Sequence, residues 1–283
     1  MQDIEAVRFH KPGHLDVIQL DTLPITQPSE TQVLICPDHA GVNYIDIYFR
    51  SGLYPAKLPM TLGQECGGTV VAVGAQVTDV DVGDKVVAIA FGSFAERVLA
   101  ERRLLAKIPD GHDVRSATAV FLQGLTAVTL THEAYRIQKG DWVVVHAASG
   151  GTGTQLVKIA KHLGAHVVGT ASTERKADMA REHGADRVVV YKEDEMDAFV
   201  DTVLSLTDGK GAQVVYDGVG RTTLDADFRA VARLGTIVSF GQSSGAIEPL
   251  PLQRLSEKNI RIMRPSLFNY LTTQADMDNQ RVS

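Results

Sequence analysis

Cysteine is nearly missing: only Cys36 and Cys66 carry thiols in 283 residues. Two are too few for a disulfide framework or for a structural zinc site built on four thiolates, and the scarcity predicts a reducing, cytoplasmic setting. Positive charge is also in deficit. With 28 Lys and Arg against 34 Asp and Glu, the net charge of −6 leaves no basic footprint of the kind that phosphate-driven nucleic-acid binding needs. Apolar runs stay short of membrane-spanning length. The first ten residues mix Asp3, Glu5 and Arg8 with isolated apolar side chains, and so are expected to be neither a signal peptide nor a transit peptide. What is present, 44% hydrophobic and 22% charged residues with 25 glycines, is the composition of an ordinary folded protein, and 283 residues suit two domains.

Up to about residue 109 the pattern is one of short β-type runs (residues 32–35, 68–73, 85–89 and 93–98) punctuated by glycine turns such as Val82-Gly83-Asp84. That half reads as a compact β-rich domain. Beyond it, Val- and Ile-rich runs alternate with helix-length amphipathic segments, which predicts a parallel sheet covered by helices. Six runs are expected as strands, at residues 142–147, 166–170, 187–191, 213–217, 236–240 and 259–263, with starts 21 to 26 residues apart. Such spacing holds a strand, a crossover helix and two loops, so the second half is expected to be a doubly wound nucleotide-binding sheet. The change of texture falls within residues 116–140.

The first expected strand of that half runs into Ala147-Ala-Ser-Gly150-Gly151-Thr152-Gly153 and then an amphipathic segment at 154–163. Strand, glycine turn and helix follow in the order of the dinucleotide fingerprint, with Ala148, Gly150 and Gly153 at its three small-residue positions. The N–H groups of Gly151 to Gly153 would point at a diphosphate from the positive end of the helix. A ligand-free glycine turn is the plainer alternative, and the six-strand context argues against it. After the second strand, an NAD site would place a carboxylate on the ribose 2′-hydroxyl. Here stand Ser172, Arg175 and Lys176, with Tyr191 ending the next strand. That set suits a 2′-phosphate and predicts NADPH over NADH.

The segments Asn43-Tyr-Ile-Asp-Ile-Tyr48, Ser51-Gly-Leu-Tyr54-Pro55 and Gly63-Gln64-Glu65 resemble the medium-chain dehydrogenase/reductase superfamily. With residues 121–126, 147–153, 215–220, 239–245 and 264–267, the chain is similar more narrowly to its zinc-independent NADPH:quinone oxidoreductases, the zeta-crystallin-like family, from Glu5 to the C-terminus. The resemblance implies an α/β fold: a GroES-like β-rich catalytic domain over residues 1–124, then a Rossmann domain with a doubly wound parallel six-stranded sheet over 125–263. Residues 264–283 would begin a return to the catalytic domain, and relative to the family the chain looks C-terminally truncated, with a closing strand expected beyond Ser283.

The zinc members of the superfamily hold their metal with a Cys near the position of Asn43 and a His in a Gly-His-Glu stretch, where this chain has Gly63-Gln64-Glu65. Amides are poor zinc ligands beside thiolate and imidazole, so no metal is expected. Nine histidines occur, but His132, His146, His162 and His166 fall on different elements without ligand spacing, and each reads as a surface or core residue. Without a Lewis acid the acceptor must already be electrophilic. Quinones qualify, and enones or alkenals to a lesser degree. The resemblance places Asn43, Tyr48 and Tyr54 as neutral donors to the developing oxyanion around the nicotinamide, although Tyr44 and Tyr48 at helical spacing also fit a short helix's core. It implies cofactor contacts from Tyr44, Asp46, Thr126, Thr129, Gly150, Gly151, Thr152, Gly153, Ser172, Lys176, Tyr191, Val219, Gly241, Ser243, Ser244 and Phe268, with Asp46 fixing backbone or cofactor. A homodimer through the sixth strand follows from the same likeness. The leading expectation is NADPH-dependent quinone reduction. The alternatives are enone or alkenal reduction and a non-enzymatic structural or RNA-binding role, the last supported only by the basic pairs Arg102-Arg103 and Arg175-Lys176.

Overall fold

The computed structural model describes residues 3–191 and 196–282. Met1, Gln2 and Ser283, on which the outermost domain limits fall, lie outside the described residues. The chain divides into two compact units, one of residues 1–122 with 273–277 and one of residues 123–272 with 278–283.

The first unit contains β1 (Asp3–Phe9), β2 (Ile18–Pro24), β3 (Gln32–Ala40), α1 (Tyr44–Ser51), β4 (Met60–Thr61), β5 (Glu65–Val73), β6 (Lys85–Ile89), β7 (Val98–Glu101) and β8 (Leu105–Lys107). Strands β7-β3-β5-β6-β8 form an antiparallel sheet and β2-β1-β4 a smaller one. Val33, Ile35, Val70, Val86, Ala88, Val98 and Leu105 pack as the core of the larger sheet. Strands β1, β2, β4 and β8 were not singled out from the sequence, and the strand expected at 93–98 is corrected. Only Val98 of it joins β7, while Ala95 makes an isolated bridge to Ala6. Phe94 bonds across to Leu62 and Val7 instead of entering a ladder, so an alternating pattern there marks a bridged turn.

Helix α2 (Val114–Thr129) spans the division between the units. The second unit continues with β9 (Trp142–Val145), α3 (Gly151–His162), β10 (His166–Ala171), α4 (Glu174–Glu182), β11 (Arg187–Val190), α5 (Asp197–Leu206), β12 (Ala212–Asp217), α6 (Leu224–Ala230), β13 (Val231–Ser239), α7 (Gln253–Ser256) and β14 (Arg261–Met263). Helix α8 (Gln274–Val282) ends the described chain. All six strands are parallel, in the order β11-β10-β9-β12-β13-β14. The order reverses at β9, which is the Rossmann arrangement.

The valine runs explain why the sheet is buried on both faces. Along β9, Val143 and Val145 enter one core and Val144 the other. Val214 and Tyr216 likewise oppose Val215 on β12, so one continuous apolar run serves two helical layers. Several ends differ from expectation. The first strand stops at Val145 because Ala147 turns left-handed at φ 50°, and α3 begins inside the glycine turn. Strand β13 starts five residues early, its register shifting against β12 between Ala212 and Val214, and Asn259 at φ 50° delays β14 to Arg261. Among the described residues, no helix is long and apolar enough to cross a membrane.

Candidate active site

In the first unit the candidate residues gather at the start of α1. Asp46 is buried at its third position and accepts the N–H of Asn43 at 2.9 Å and of Gly63 at 3.0 Å. Burial pushes its carboxyl above the ordinary value, against the pull of those two amides. Asp46 therefore fixes the turn that opens the helix. The Asn43 amide donates to Glu65 Oε1 at 2.9 Å and to the Gly41 carbonyl at 3.3 Å, so both of its hydrogens have partners inside the unit. Glu65, only 1% exposed, also takes the Leu122 N–H at 3.4 Å. A Cβ at Gly41 would lie 2.1 Å from Glu65 Oε1, so a side chain there would displace the Glu65 carboxylate. Tyr48 is buried, with the rings of Tyr44 at 6.2 Å and Tyr54 at 5.2 Å, whereas Tyr44 is largely exposed.

This donor set does not fit zinc. Gln64 is buried, with its neutral amide beside the Asp46 carboxyl. Burial and the Glu65 charge push the neighbouring Cys66 thiol up to about 12, which keeps it protonated. Among the described residues no group of three His, Cys, Asp or Glu side chains is placed to hold a metal. Two amides and a neutral thiol make a poor site for a cation that prefers thiolate and imidazole.

In the second unit the sequence-predicted residues lie along the carboxyl edge of the sheet. Helix α3 opens on Gly150 without a side-chain cap, so its first N–H groups are the donors that a helix leaves over for an anion. Gly153 allows the turn to close: a Cβ there would stand 2.3 Å from the Ala147 carbonyl oxygen. This cradle, which a side chain would fill, fits a diphosphate. After β10, Lys176 Nζ donates to Ser172 Oγ at 3.0 Å, both being exposed, and Glu174 of the same turn pairs with Arg181. The Tyr191 N–H bonds to Ala171 at 3.1 Å, which sets Tyr191 beside the same strand end. The set has the chemistry of a 2′-phosphate pocket.

The last two turns are stitched together. Asp217, fully buried at the end of β12, accepts the N–H of Val219 at 2.8 Å and of Gly220 at 3.0 Å, and the Thr223 hydroxyl at 2.9 Å. Ser244 donates its hydroxyl to the Val219 carbonyl at 2.7 Å, and the Ser243 N–H bonds to Gly218 at 3.2 Å. Arg264 donates to the Gly241 carbonyl at 2.8 Å. Of the remaining candidates, Thr129 is buried and Thr126 half-buried on α2, and Phe268 is half-buried in the turn Leu267–Tyr270.

His146, expected from the sequence as a surface or core residue, is a core residue with polar partners. His146, at the end of β9, has Nε2 2.7 Å from Asp227 Oδ1 and Nδ1 2.9 Å from Thr170 Oγ1, and neither His146 nor Asp227 is exposed. Burial drives the Asp227 carboxyl up despite His146. Burial also opposes the imidazolium, but Asp227 outweighs it and His146 stands above its ordinary value too. The one legible signal was Asp227 itself, a carboxylate among the apolar residues of α6.

Comparison with known proteins places this geometry. Residues 29–110 match the alcohol dehydrogenase GroES-like domain and residues 151–279 the zinc-binding dehydrogenase domain. These two domains define the class. A probable quinone oxidoreductase of Schizosaccharomyces pombe is 41% identical over 271 residues, 95% of this chain and 81% of that one. A mycobacterial protein solved in complex with NADPH superposes with a TM-score of 0.94 at 40% identity, over 98% of this chain and 86% of that one. The Escherichia coli quinone oxidoreductase, also solved with NADPH, gives 0.92 at 36% identity over the same shares. The chain belongs to the quinone oxidoreductase family of the medium-chain dehydrogenase/reductases.

Proposed function

We infer that this protein reduces quinones with NADPH, without a metal. The observation that carries the reading is the Lys176–Ser172 contact at 3.0 Å, a cation and a hydroxyl at the strand end where an NAD site would present a carboxylate. The relatives named above support it. The domains proposed are residues 1–124 for catalysis and 125–263 for NADPH. In the second, Gly150, Gly151, Thr152 and Gly153 receive the diphosphate, Ser172, Lys176 and Tyr191 the 2′-phosphoribose, and Val219, Gly241, Ser243 and Ser244 the nicotinamide side, with Thr126, Thr129 and Phe268 beside the cofactor.

Bound NADPH supplies the hydride. The protein's part is to position acceptor and cofactor and to meet the negative charge that gathers on the acceptor oxygen. Tyr48 and Tyr54 are the neutral O–H donors for that charge. Asn43 acts chiefly by holding Glu65, since its two amide hydrogens are engaged there and at Gly41. Water delivers the second hydrogen as a proton, so no side chain has to titrate. A homodimer through the outer edge of β14, the last strand of the sheet, and a cytoplasmic setting for the free thiols Cys36 and Cys66 complete the reading.

The test is a panel of 1,2-naphthoquinone, 9,10-phenanthrenequinone and an alkenal with NADPH or NADH. Quinone turnover preferring NADPH is expected. Turnover of the alkenal alone would replace quinone reduction with double-bond reduction, and light scattering on the same sample reads the dimer.

A further inference from the structure

The His146–Asp227–Thr170 chain lies outside the chemistry described so far, yet it adjoins the phosphate turn and the end of β10 and reaches the Val219–Gly220 turn through Thr223 and Asp217. His146 is the last residue before the left-handed Ala147 that begins the phosphate turn. Thr170, its partner at 2.9 Å, lies two residues before Ser172. Asp227, its partner at 2.7 Å, is tied by its own N–H to Thr223, whose hydroxyl bonds the Asp217 that collects the amides of Val219 and Gly220. The Phe199 ring packs edge-on at 4.9 Å and closes the site from α5. Asp227 has the imidazole on one side and the carboxyl of Asp217 as a second acidic neighbour. Burying such a pair is costly, and well-packed apolar residues of similar volume are often as stable or more so. Stability alone gives it no reason to be there.

We propose that His146 is a positioning residue for the nucleotide: with Asp227 it sets the phosphate turn in register with the Val219–Gly220 turn, so that one dinucleotide can occupy both at once. The inference rests on the NADPH reading above. Its physical content is that of a linked ligand. The adenosine half needs only the phosphate turn and the Ser172–Lys176 pair, whereas the whole dinucleotide gains the second contact only if the two turns keep their spacing.

The experiment compares NADPH with adenosine 2′,5′-bisphosphate, by fluorescence and calorimetric titration, on the wild type and on His146→Leu/Asp227→Ala, which removes both members together and leaves no lone buried charge. Expected are a cooperative transition with a lowered thermal midpoint, because the Thr170 hydroxyl loses its partner and alanine is smaller than the Asp227 it replaces, bisphosphate affinity within about threefold, and NADPH affinity lower by roughly tenfold or more. NADPH affinity within about threefold of wild type would overturn the proposal, as would equal losses for both ligands, which would confine the pair's effect to the phosphate turn. If the double variant fails to fold, the isosteric Thr170→Val decides: it should weaken NADPH by about threefold or more and leave the bisphosphate unchanged, and any other pattern refutes the assignment. A wild type that binds the bisphosphate but not NADPH would sink the functional reading instead, and one that binds neither would do the same.

Discussion

Replacing Lys176 with Ala tests the cofactor assignment at one atom. Lys176 Nζ lies 3.0 Å from Ser172 Oγ and both side chains face solvent, so a 2′-phosphate between them would gain one charge-assisted bond in a screened setting. Such bonds are worth about 1.5–3 kcal/mol. With a Debye length of roughly 8 Å at physiological salt, the lower end applies, so NADPH affinity should fall by about tenfold and NADH affinity by no more than about twofold. The variant also controls for its own folding. Lys176 sits in the first turn of α4, where a cation opposes the helix dipole, and alanine is the better helix former. The thermal midpoint should therefore hold or rise slightly while NADPH binding drops. Titrations of both nucleotides at low and high salt read the effect, and the salt dependence of NADPH binding should flatten in the variant. Equal losses for the two nucleotides, or none for NADPH, would mean that the 2′-phosphate lies elsewhere.

Gly153→Ala should abolish NADPH binding and lower the thermal midpoint by roughly 3–10 °C, the equivalent of about 1–3 kcal/mol, because the added methyl would stand 2.3 Å from a backbone carbonyl oxygen that cannot move aside cheaply. Asn43→Ala should cost stability as well as turnover, about 1–3 kcal/mol by denaturant titration, since buried Glu65 loses its amide donor. Asn43→Asp would set two carboxyls side by side. The folded state then binds a proton more tightly than the unfolded chain, so this variant's stability should recover as pH is lowered from 8 to 5, and a deficit independent of pH would refute the contact. Asp186 behaves oppositely. Burial raises its carboxyl, but Lys161 at 2.7 Å and the Val167 N–H at 2.6 Å outweigh this and leave it below 3.8, so its contribution is present above the ordinary carboxylate value and lost as pH falls through the lowered one. Wild-type thermal midpoints should fall more steeply than those of Asp186→Asn below about pH 4.

The second unit was largely legible because its signals are periodic. Valine runs of strand length, spaced for crossover helices, specify a parallel sheet whatever the loops do, and the glycine turn after β9 can open a helix only where a backbone passes as close as Ala147 does to Gly153. The first unit was less so. Strands β1, β2, β4 and β8 are short or half-exposed, and residues 93–97 alternate like a strand yet spend their hydrogen bonds on isolated bridges. A polar contact between residues far apart in sequence leaves no local period at all. Asn43 with Glu65 and His146 with Asp227, 22 and 81 positions apart, could be found only once the fold had closed.

That asymmetry changes the chemistry assigned to the site. From the sequence, Asn43 is a donor waiting for a substrate. In the folded protein its hydrogens already hold Glu65 and the Gly41 carbonyl, and Asp46 spends one oxygen on the turn that begins α1 and the other on the Gly63 N–H. The first unit thus sets a hydrogen-bonded polar frame beside the Tyr48–Tyr54 pair, whose rings stand 5.2 Å apart. A frame of that kind supplies little acid or base of its own. It suits an acceptor such as a quinone, which delocalises the incoming charge and asks of the protein mainly orientation and a neutral hydrogen bond.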